Sequence, residues 1–243
     1  SLERPMNQPN VAIVIPVLAD MTALRALLAR IGGWADQPAE IVVVFAGTND
    51  DLRQLCREKD FRYLESPAGR GTQLDRGARI ATAEILWFLH ADAGPDADSL
   101  REIALAVGGG TEGGYFRFKF RGEPAWWKTL LERLTNLRTK LGGIPYGDQG
   151  IFVRRDTYTE TGGFAQQPLF EEVALVKNLR SRGHFHELAL PIGVAARRWE
   201  RDGWCHRSLA NRGLAIRYLL GAPAERLAEH YDGSTVTNKK ATP

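Results

Sequence analysis

Apolar and polar residues recur with two different periods along the first 107 residues of the chain. Short β-branched or aromatic runs, typical of strands buried on both faces, alternate with stretches whose apolar residues recur every three or four positions, as in amphipathic helices. This alternation predicts βαβ units and a mostly parallel sheet, with the carboxyl ends of the strands along one edge. The predicted strands are 11–17, 40–46, 61–65 and 84–90, and the predicted helices are 20–31, 50–55, 72–83 and 99–107.

The pattern changes after a glycine-rich segment at 108–114. Residues 115–121 alternate aromatic with charged side chains, which is typical of a strand with one exposed face. We interpret the chain as a single α/β globule, 1–243, with a nucleotide-binding half at about 10–107 and an acceptor half at about 114–231. The polar tail 232–243 is expected to be frayed. The other predicted elements are helices at 124–141, 169–182, 205–220 and 224–231 and strands at 150–154 and 184–191.

Composition narrows the classes of protein to which the chain could belong. With 243 residues, 44% hydrophobic and 25% charged, it can bury a full core and is ordinary for a globular protein. A net charge of +3 gives no support for a nucleic-acid partner. Cys56 and Cys205 have neither a disulfide nor a zinc spacing. No signal pattern is present and no apolar run reaches the ~18 residues of a membrane span, so we expect a cytoplasmic location.

The strongest chemical signal is the step His90-Ala91-Asp92, which directly follows the apolar run of the fourth predicted strand. A carboxylate just past the carboxyl end of a central strand lies where α/β sheets bind their ligands. Its oxygen atoms suit a hard divalent cation, and such a cation suits a diphosphate. The competing interpretation is a helix cap, in which Asp92 or Asp96 starts the helix at 99–107.

The segment Gly69-Arg70-Gly71 precedes a predicted helix. Glycines let the backbone approach an anion, a helix amino terminus offers free N–H groups, and Arg70 can pair with phosphate. An ordinary loop with one surface arginine is the alternative interpretation.

The pair Glu171-Glu172 lies near the start of another predicted helix. A carboxylate held near an acceptor hydroxyl can remove its proton as a new bond forms. Alternatively, the pair only complements the positive end of the helix dipole. The segments Gly147-Asp148-Gln149 and Gly162-Gly163 flank this candidate base in the sequence.

Two aromatic segments allow both functional and structural interpretations. The run at 196–201 contains Arg198 and Trp199, which could hold a diphosphate or stack on a sugar, but a solvated surface strand is equally compatible with it. The helix at 124–141 begins with two tryptophans and combines basic residues with a row of leucines. Such a helix can rest on a bilayer surface, although we favour burial of the leucines in the core, with the tryptophans near an acceptor site. His184 and His186 are interpreted as surface or packing residues.

Together these segments resemble the family 2 glycosyltransferases, which have the GT-A nucleotide-sugar fold. The closest likeness is to the small bacterial rSAM/selenodomain-associated transferases, and it extends over 11–231. The order and spacing of the segments carry the resemblance more than any one of them does. The segments are 13–18, 47–50, 69–78, 88–92, 146–155, 162–164, 171–172 and 196–201.

The resemblance implies an inverting, metal-dependent transfer of a sugar from a nucleotide-diphosphate donor to an acceptor hydroxyl. It implies Mg or Mn on Asp92 and His90, Glu172 as the general base and Glu171 as its helper. The acceptor could be lipid-linked, which would place the enzyme at the inner face of the membrane with at most peripheral contact. The residues implied for the nucleotide sugar are Pro16, Val17, Asp20, Phe45, Gly47, Arg70, Gln73, Ala91 and Asp92. Those implied for acceptor or phosphate are Gly147, Asp148, Gln149, Arg198 and Trp199.

Three positions depart from the family pattern. The Asp that receives uracil at the end of the second strand is Phe45 here, the Asn-Glu after the first strand is Ala19-Asp20, and the base Asp is Glu172. Because Phe45 cannot accept a hydrogen bond from a base, the base is stacked instead, the donor is not a uridine compound, or donor use has been lost. Two rival interpretations remain. One is a catalytically decayed scaffold or binding protein. The other is a nucleotidyltransferase, which also uses a Gly/Arg loop on an α/β sheet, although that loop normally follows the first strand directly, where this chain has residues 17–20.

Overall fold

The computed structural model describes residues 10–228, and the fold is given for that part of the chain. The strands there are β1 Val11–Val17, β2 Glu40–Ala46, β3 Arg62–Ser66, β4 Ile85–Phe88, β5 Gly113–Phe120, β6 Phe152–Arg154 and β7 Phe185–Val194. The helices are α1 Met21–Gly32, α2 Asp50–Glu58, α3 Arg70–Ile80, α4 Ser99–Gly108, α5 Trp126–Lys140, α6 Arg155–Glu160, α7 Glu172–Ser181, α8 Arg197–Asp202 and α9 Trp204–Leu219.

All of these strands belong to one sheet, in the order β3-β2-β1-β4-β6-β5-β7. The pairs β3–β2, β2–β1, β1–β4 and β5–β7 are parallel, whereas β6 runs antiparallel to β4 and β5. The predicted α/β fold with a mostly parallel, mixed central sheet is therefore confirmed. The carboxyl ends of β1, β2, β3 and β4 share one edge, called here the carboxyl edge.

The sheet is covered by helices on both faces, which explains the continuous apolar runs of its central strands. Alternate residues of β1 point to opposite faces: Ile13 packs with residues of α1, α2 and α4, and Val14 packs with residues of α3 and α7. Helix α3 lies close to the sheet at Gly77, where a methyl group would come within 2.5 Å of a Val14 methyl carbon. A side chain at this position would therefore push α3 away from the sheet.

The predicted burial of the five leucines at 130–141 is wrong for four of them: Leu131 packs partly buried against the cluster of Phe118 and Phe120, but polar residues occupy much of the side of α5 that faces the sheet. Strand β6 pairs only with Gly113 and Gly114 of β5, so the backbone beyond them needs other partners. Asn136 provides two bonds, to the Phe118 N–H (2.8 Å) and to its carbonyl oxygen (3.0 Å). Glu132 accepts a third from the Phe120 N–H at 2.8 Å. The leucines at 130, 134, 137 and 141 are consequently 41–78% exposed.

Other differences from the sequence predictions are local. The interpretation of 196–201 as a strand is wrong, since α8 occupies most of it, and α6 was not predicted. The last predicted helix is helical from 224 to 228, whereas 229–231 and the tail 232–243 lie outside the described residues. Among the helices of the described part, none has the length and apolar character needed to cross a membrane.

Candidate functional site

Asp20 and Asp92 form one wall of a candidate site at the carboxyl edge. They follow the adjacent strands β1 and β4, and one guanidinium nitrogen of Arg197 lies 2.9 Å from Asp20 Oδ2 and 3.5 Å from Asp92 Oδ2. Asp20 Oδ1 also accepts the Ala23 N–H at 2.9 Å, which caps α1. This backbone bond, with Arg197 contributing less, lowers the pKa of Asp20 below its ordinary value. The wall thus carries two carboxylates bridged by one cation.

The interpretation of Asp92 or Asp96 as a helix cap is wrong. The residue at the N-cap of α4 is Asp98. The side chain of Asp96 accepts the Asp98 N–H at 3.0 Å within the preceding loop. The side chain of Asp92 remains 44% exposed beside Arg197.

The second wall is built from the starts of α3 and α7. Helix α3 begins at Arg70, so this residue lies in the first helical turn and not in the loop before it. The Arg70 Nε donates to Glu171 Oε1, joining positions 101 residues apart. Glu171 is the N-cap residue of α7 and Glu172 is in its first turn, and both side chains are about 1% exposed. The acidic pair therefore occupies the position favourable to the helix dipole and also borders the candidate site.

The carboxyl of Glu172 has an increased affinity for a proton. Burial raises the pKa of Glu172 above its ordinary value, the charge of Glu171 adds to this effect, and Arg70 opposes it. Within the described residues, one oxygen of each glutamate, Oε2, has no hydrogen-bond partner. A buried carboxylate with a raised pKa and one oxygen that accepts no hydrogen bond is suited to receive a proton from a bound hydroxyl.

Asp148 connects the two walls electrostatically. It lies in a single 3₁₀ turn, Gly147–Gln149, and burial raises its pKa to about 6, with a further contribution from the charge of Asp92. The charge of Asp148 in turn helps to raise the pKa of Glu172. The charge of Asp92 thus acts on Asp148, and that of Asp148 on Glu172, while Arg70 and Arg138 oppose the rise in the pKa of Asp148. The ring of His90 packs beneath this turn, because a methyl group on Gly147 would come within 2.7 Å of His90 Nε2.

The residues predicted for the nucleotide lie along the same edge. Pro16 and Val17 end β1, and Val17 pairs in register with Phe45 of β2, whose side chain is 9% exposed. Both amide hydrogens of Gln73 are engaged, since its Nε2 donates to the Val17 and Val44 carbonyls at 2.9 and 2.8 Å. Gln73 therefore ties two strand ends together beneath the edge. Gly47 also lies there, with its N–H on the Ser66 carbonyl at 2.9 Å, and Ala91 is partly buried.

The structure points to Arg197, which sequence reasoning missed in favour of its neighbour Arg198. A basic run interpreted as a strand gave no basis for choosing between adjacent arginines; α8 is a helix, and its first residue reaches Asp20. The side chain of Arg198 lies outside the described part of the structure. Trp199 packs edge-on against Phe120, with ring centroids 5.1 Å apart, so its ring helps to anchor α8. The other predicted acceptor residue, Gln149, is buried and donates to the Phe116 carbonyl at 3.2 Å.

The candidate site can hold a metal cation only if a bound ligand supplies most of the atoms that coordinate it. Within residues 10–228, no three His, Cys, Asp or Glu side chains are grouped so as to hold a metal ion. However, Mg²⁺ commonly keeps several waters and binds through one or two carboxylates plus substrate phosphates. The partly exposed Asp92 carboxylate suits that mode. His90 as a second ligand stays a prediction.

Gly71→Ala tests how tightly the second wall is assembled. The added methyl group would overlap the backbone carbonyl oxygen of Ala165 and come within 2.9 Å of Glu171 Cβ. Because the backbone cannot yield as a flexible side chain can, we expect the free energy of unfolding to fall by about 1–3 kcal/mol. Thermal and urea unfolding measure this effect. The matched variant Gly108→Ala, at a position with no atom within 4 Å, should retain wild-type stability; equal stability of both variants would contradict the packing described.

Comparison with known proteins agrees with this architecture. Residues 12–163 match the family model described as glycosyl transferase family 2. The structure of S. aureus TarS 1–349 in complex with UDP-GlcNAc is similar, with a TM-score of 0.60 and 13% identity over 76% of this chain and 58% of that one. The structure of Mycobacterium tuberculosis glucosyl-3-phosphoglycerate synthase with Mn²⁺, UDP-glucose and phosphoglyceric acid has a TM-score of 0.55 and 19% identity over 74% of this chain and 70% of that one.

The similarity to these two structures concerns the fold. At such identities the two structures show that the fold is of the GT-A kind and nothing more about activity. The chain spans less than three fifths of the TarS fragment that it matches. In sequence, no curated protein matches the chain.

Proposed function

This chain belongs to glycosyl transferase family 2, and from that membership we propose that it moves a sugar from a nucleotide-diphosphate donor to an acceptor hydroxyl with inversion. The observation that carries the proposal is a pair of ion-paired groups at the carboxyl edge: Arg197 bridges Asp20 and Asp92, and Arg70 binds Glu171, next to the buried Glu172. A nucleotide sugar requires positive charge for its diphosphate, here from Arg197, Arg70 and a cation on Asp92, and a proton acceptor on the other side of the anomeric carbon. The two walls of the cleft offer those groups.

The donor would lie against the wall formed by Asp20, Asp92 and Arg197. Arg197 supplies a fixed positive charge for the diphosphate, and Arg70 supplies a second one from the opposite wall. UDP-sugars are bound in the related structures of TarS and the glucosyl-3-phosphoglycerate synthase. Phe45 gives the base no hydrogen-bond acceptor at the end of β2, and its ring, 9% exposed, belongs to the core; other groups of the carboxyl edge would therefore hold the base.

The transfer itself would be a single displacement. Glu172 takes the proton of the acceptor hydroxyl, and the acceptor oxygen attacks the anomeric carbon from the face opposite the diphosphate. The bond from the anomeric carbon to the diphosphate oxygen breaks, and its electron pair leaves with the diphosphate. Glu171, held by Arg70, is a positioning residue: its charge raises the pKa of Glu172 and so strengthens the base.

A divalent cation, Mg or Mn, belongs to this proposal as a companion of the donor. When bound, it would neutralise the charge that develops on the leaving diphosphate. Asp92 would be its protein ligand, with the remaining ligands from phosphate oxygens and water. The likeness to the small bacterial rSAM/selenodomain-associated transferases, and a cytoplasmic location, are also parts of the proposal.

The proposal is tested by incubating the protein with a panel of nucleotide sugars and Mn²⁺, and by titrating the matching nucleoside diphosphates calorimetrically with and without the metal. We expect metal-dependent binding of at least one diphosphate and its slow release from the matching sugar donor. If no nucleotide binds, the decayed scaffold is the better explanation. Formation of pyrophosphate from a nucleoside triphosphate and a sugar phosphate would instead favour the nucleotidyltransferase.

A further inference from the structure

Helix α5 presents a continuous apolar stripe to solvent. Its members recur at intervals of four, four, three and four residues, which places them on one side of a helix. We call this surface the leucine face. It consists of Trp126 (79% exposed), Leu130 (48%), Leu134 (41%), Leu137 (52%) and Leu141 (78%).

The exposure of the leucine face follows from how α5 packs. Glu132 and Asn136 turn the polar side of the helix inward, because they satisfy backbone groups of β5 that β6 does not reach. Rotating α5 to bury its leucines would leave those groups without partners, at a considerable cost in free energy. The apolar side is therefore directed outward by the fold. Contiguous exposed apolar surface of this kind marks a contact with another molecule or with a membrane.

The charge on this side of the molecule indicates what that contact is. Arg133 and Lys140 are exposed on α5, and the only acidic residue of the helix, Glu132, is directed to β5. Helix α9 starts beside α5, where the rings of Trp127 and Trp204 have centroids 4.2 Å apart. Its sequence contains no acidic residue. The exposed residues of α9, together with Leu220 after it, include Leu209, Arg212, Ile216, Arg217 and Leu219.

From this combination we propose that the leucine face docks on an anionic lipid bilayer. The apolar side chains would enter the boundary between headgroups and acyl chains, with Trp126 at the level of the headgroups. Arg133 and Lys140 would pair with acidic lipids, each adding to the affinity. A second copy of the chain is a poorer partner, because the same basic residues would face one another across a two-fold interface.

The docking surface and the candidate site are joined through the carboxyl end of α5. The guanidinium of Arg138 lies 4.9 Å from the ring centre of Tyr146, next to the turn that carries Asp148. Arg180 of α7 donates to the carbonyls of Thr139 and Gly143 at 2.7 and 2.8 Å. Helix α5 would thus lie between the docked bilayer and the carboxyl-terminal end of α7, the helix whose first residue is Glu172. Provided that the proposed function holds, the acceptor hydroxyl is then one presented at the lipid surface.

Vesicle flotation tests the docking without any measurement of activity. The full chain is mixed with vesicles of phosphatidylglycerol and phosphatidylcholine in equal parts, or of phosphatidylcholine alone, at about 50 and about 500 mM salt. We expect binding to the anionic vesicles that weakens at high salt. The double variant Leu130→Glu/Leu137→Glu should reduce the partition coefficient roughly tenfold or more. The matched control Leu105→Glu, on α4 and 64% exposed, should bind like the wild type.

A second pair of variants separates charge from apolar contact. Arg133→Gln/Lys140→Gln should lower partition into anionic vesicles by roughly tenfold and leave the weak binding to neutral vesicles unchanged. Light scattering of the free protein gives the state of association. The proposal is overturned if no vesicle is bound, if the leucine variant binds as well as the wild type, or if the wild type is a dimer that the leucine variant dissociates. Circular dichroism confirms that each variant is folded, and donor binding, measured separately, tests the proposed function alone.

Discussion

Replacing Glu172 by Gln is expected to lower turnover by roughly a hundredfold or more while leaving donor affinity near the wild-type value. The amide keeps the size of the buried side chain but cannot take the proton of the acceptor hydroxyl. Donor affinity should persist because the diphosphate would be held at Asp92 and Arg197, on the other wall of the cleft. Steady-state kinetics with a competent acceptor measure turnover, and calorimetry with the nucleoside diphosphate measures binding.

The raised pKa of Glu172 adds a dependence on pH whose signs can be worked out. Since the base acts when ionised, kcat/KM of the wild type should rise with pH through the raised pKa of Glu172. Between the ordinary carboxyl pKa and this raised one, the folded protein holds a proton that the unfolded chain has lost. The free energy of unfolding must then fall as pH increases across that interval. Asp148, with its pKa raised to about 6, acts in the same direction.

Glu172→Gln should therefore be more stable than the wild type above this interval, although it is less active. Thermal unfolding from acid to mildly alkaline pH is the measurement, and the stability advantage should grow as pH increases. The surface variant Glu160→Gln, with a side chain 59% exposed in the wild type, serves as the control and should change neither property. Retained turnover in Glu172→Gln, together with its loss in Glu171→Gln, would transfer the role of base to Glu171.

The first half of the fold could be predicted from the sequence because its signals are local. Each central strand is an uninterrupted apolar run, since both of its faces are covered, and each helix has its own period. The position of α5 could not be predicted in this way. Its inward side is determined by β5, where pairing with β6 ends after Gly114, and Asn136 replaces the missing partner strand. Hydrophobic periodicity alone assigns the wrong side of such a helix to the core.

The residues of the candidate site also differ in whether local sequence signals indicate them. Asp92 and the pair at 171–172 could be proposed from the sequence because strand ends and helix starts are visible there. Arg197 was missed, since its pairing with Asp20 joins positions 177 residues apart and depends on how α8 packs. The raised pKa of Asp148 likewise arises from burial and from the charge of Asp92, which only the folded chain brings near.

Asp92→Ala is expected to abolish the metal-dependent part of donor binding. The cation would lose its charged protein ligand, so the affinity gained on adding Mn²⁺ should disappear. The wall itself should persist, because Arg197 keeps its 2.9 Å contact with Asp20. Removing one negative charge also makes the cleft more favourable for a bare diphosphate, so affinity measured without metal should stay the same or increase.

Because affinity should fall with Mn²⁺ but not without it, the two measurements distinguish loss of a metal ligand from general damage to the site. Calorimetric titration of the nucleoside diphosphate, with Mn²⁺ and with a chelator, measures both affinities for the variant. Asp96→Ala, four residues away in the same loop, is the matched control and should keep the full metal dependence. An unchanged response to Mn²⁺ in Asp92→Ala would remove Asp92 from the cation site, and equal losses with and without the metal would mean that the wall had collapsed.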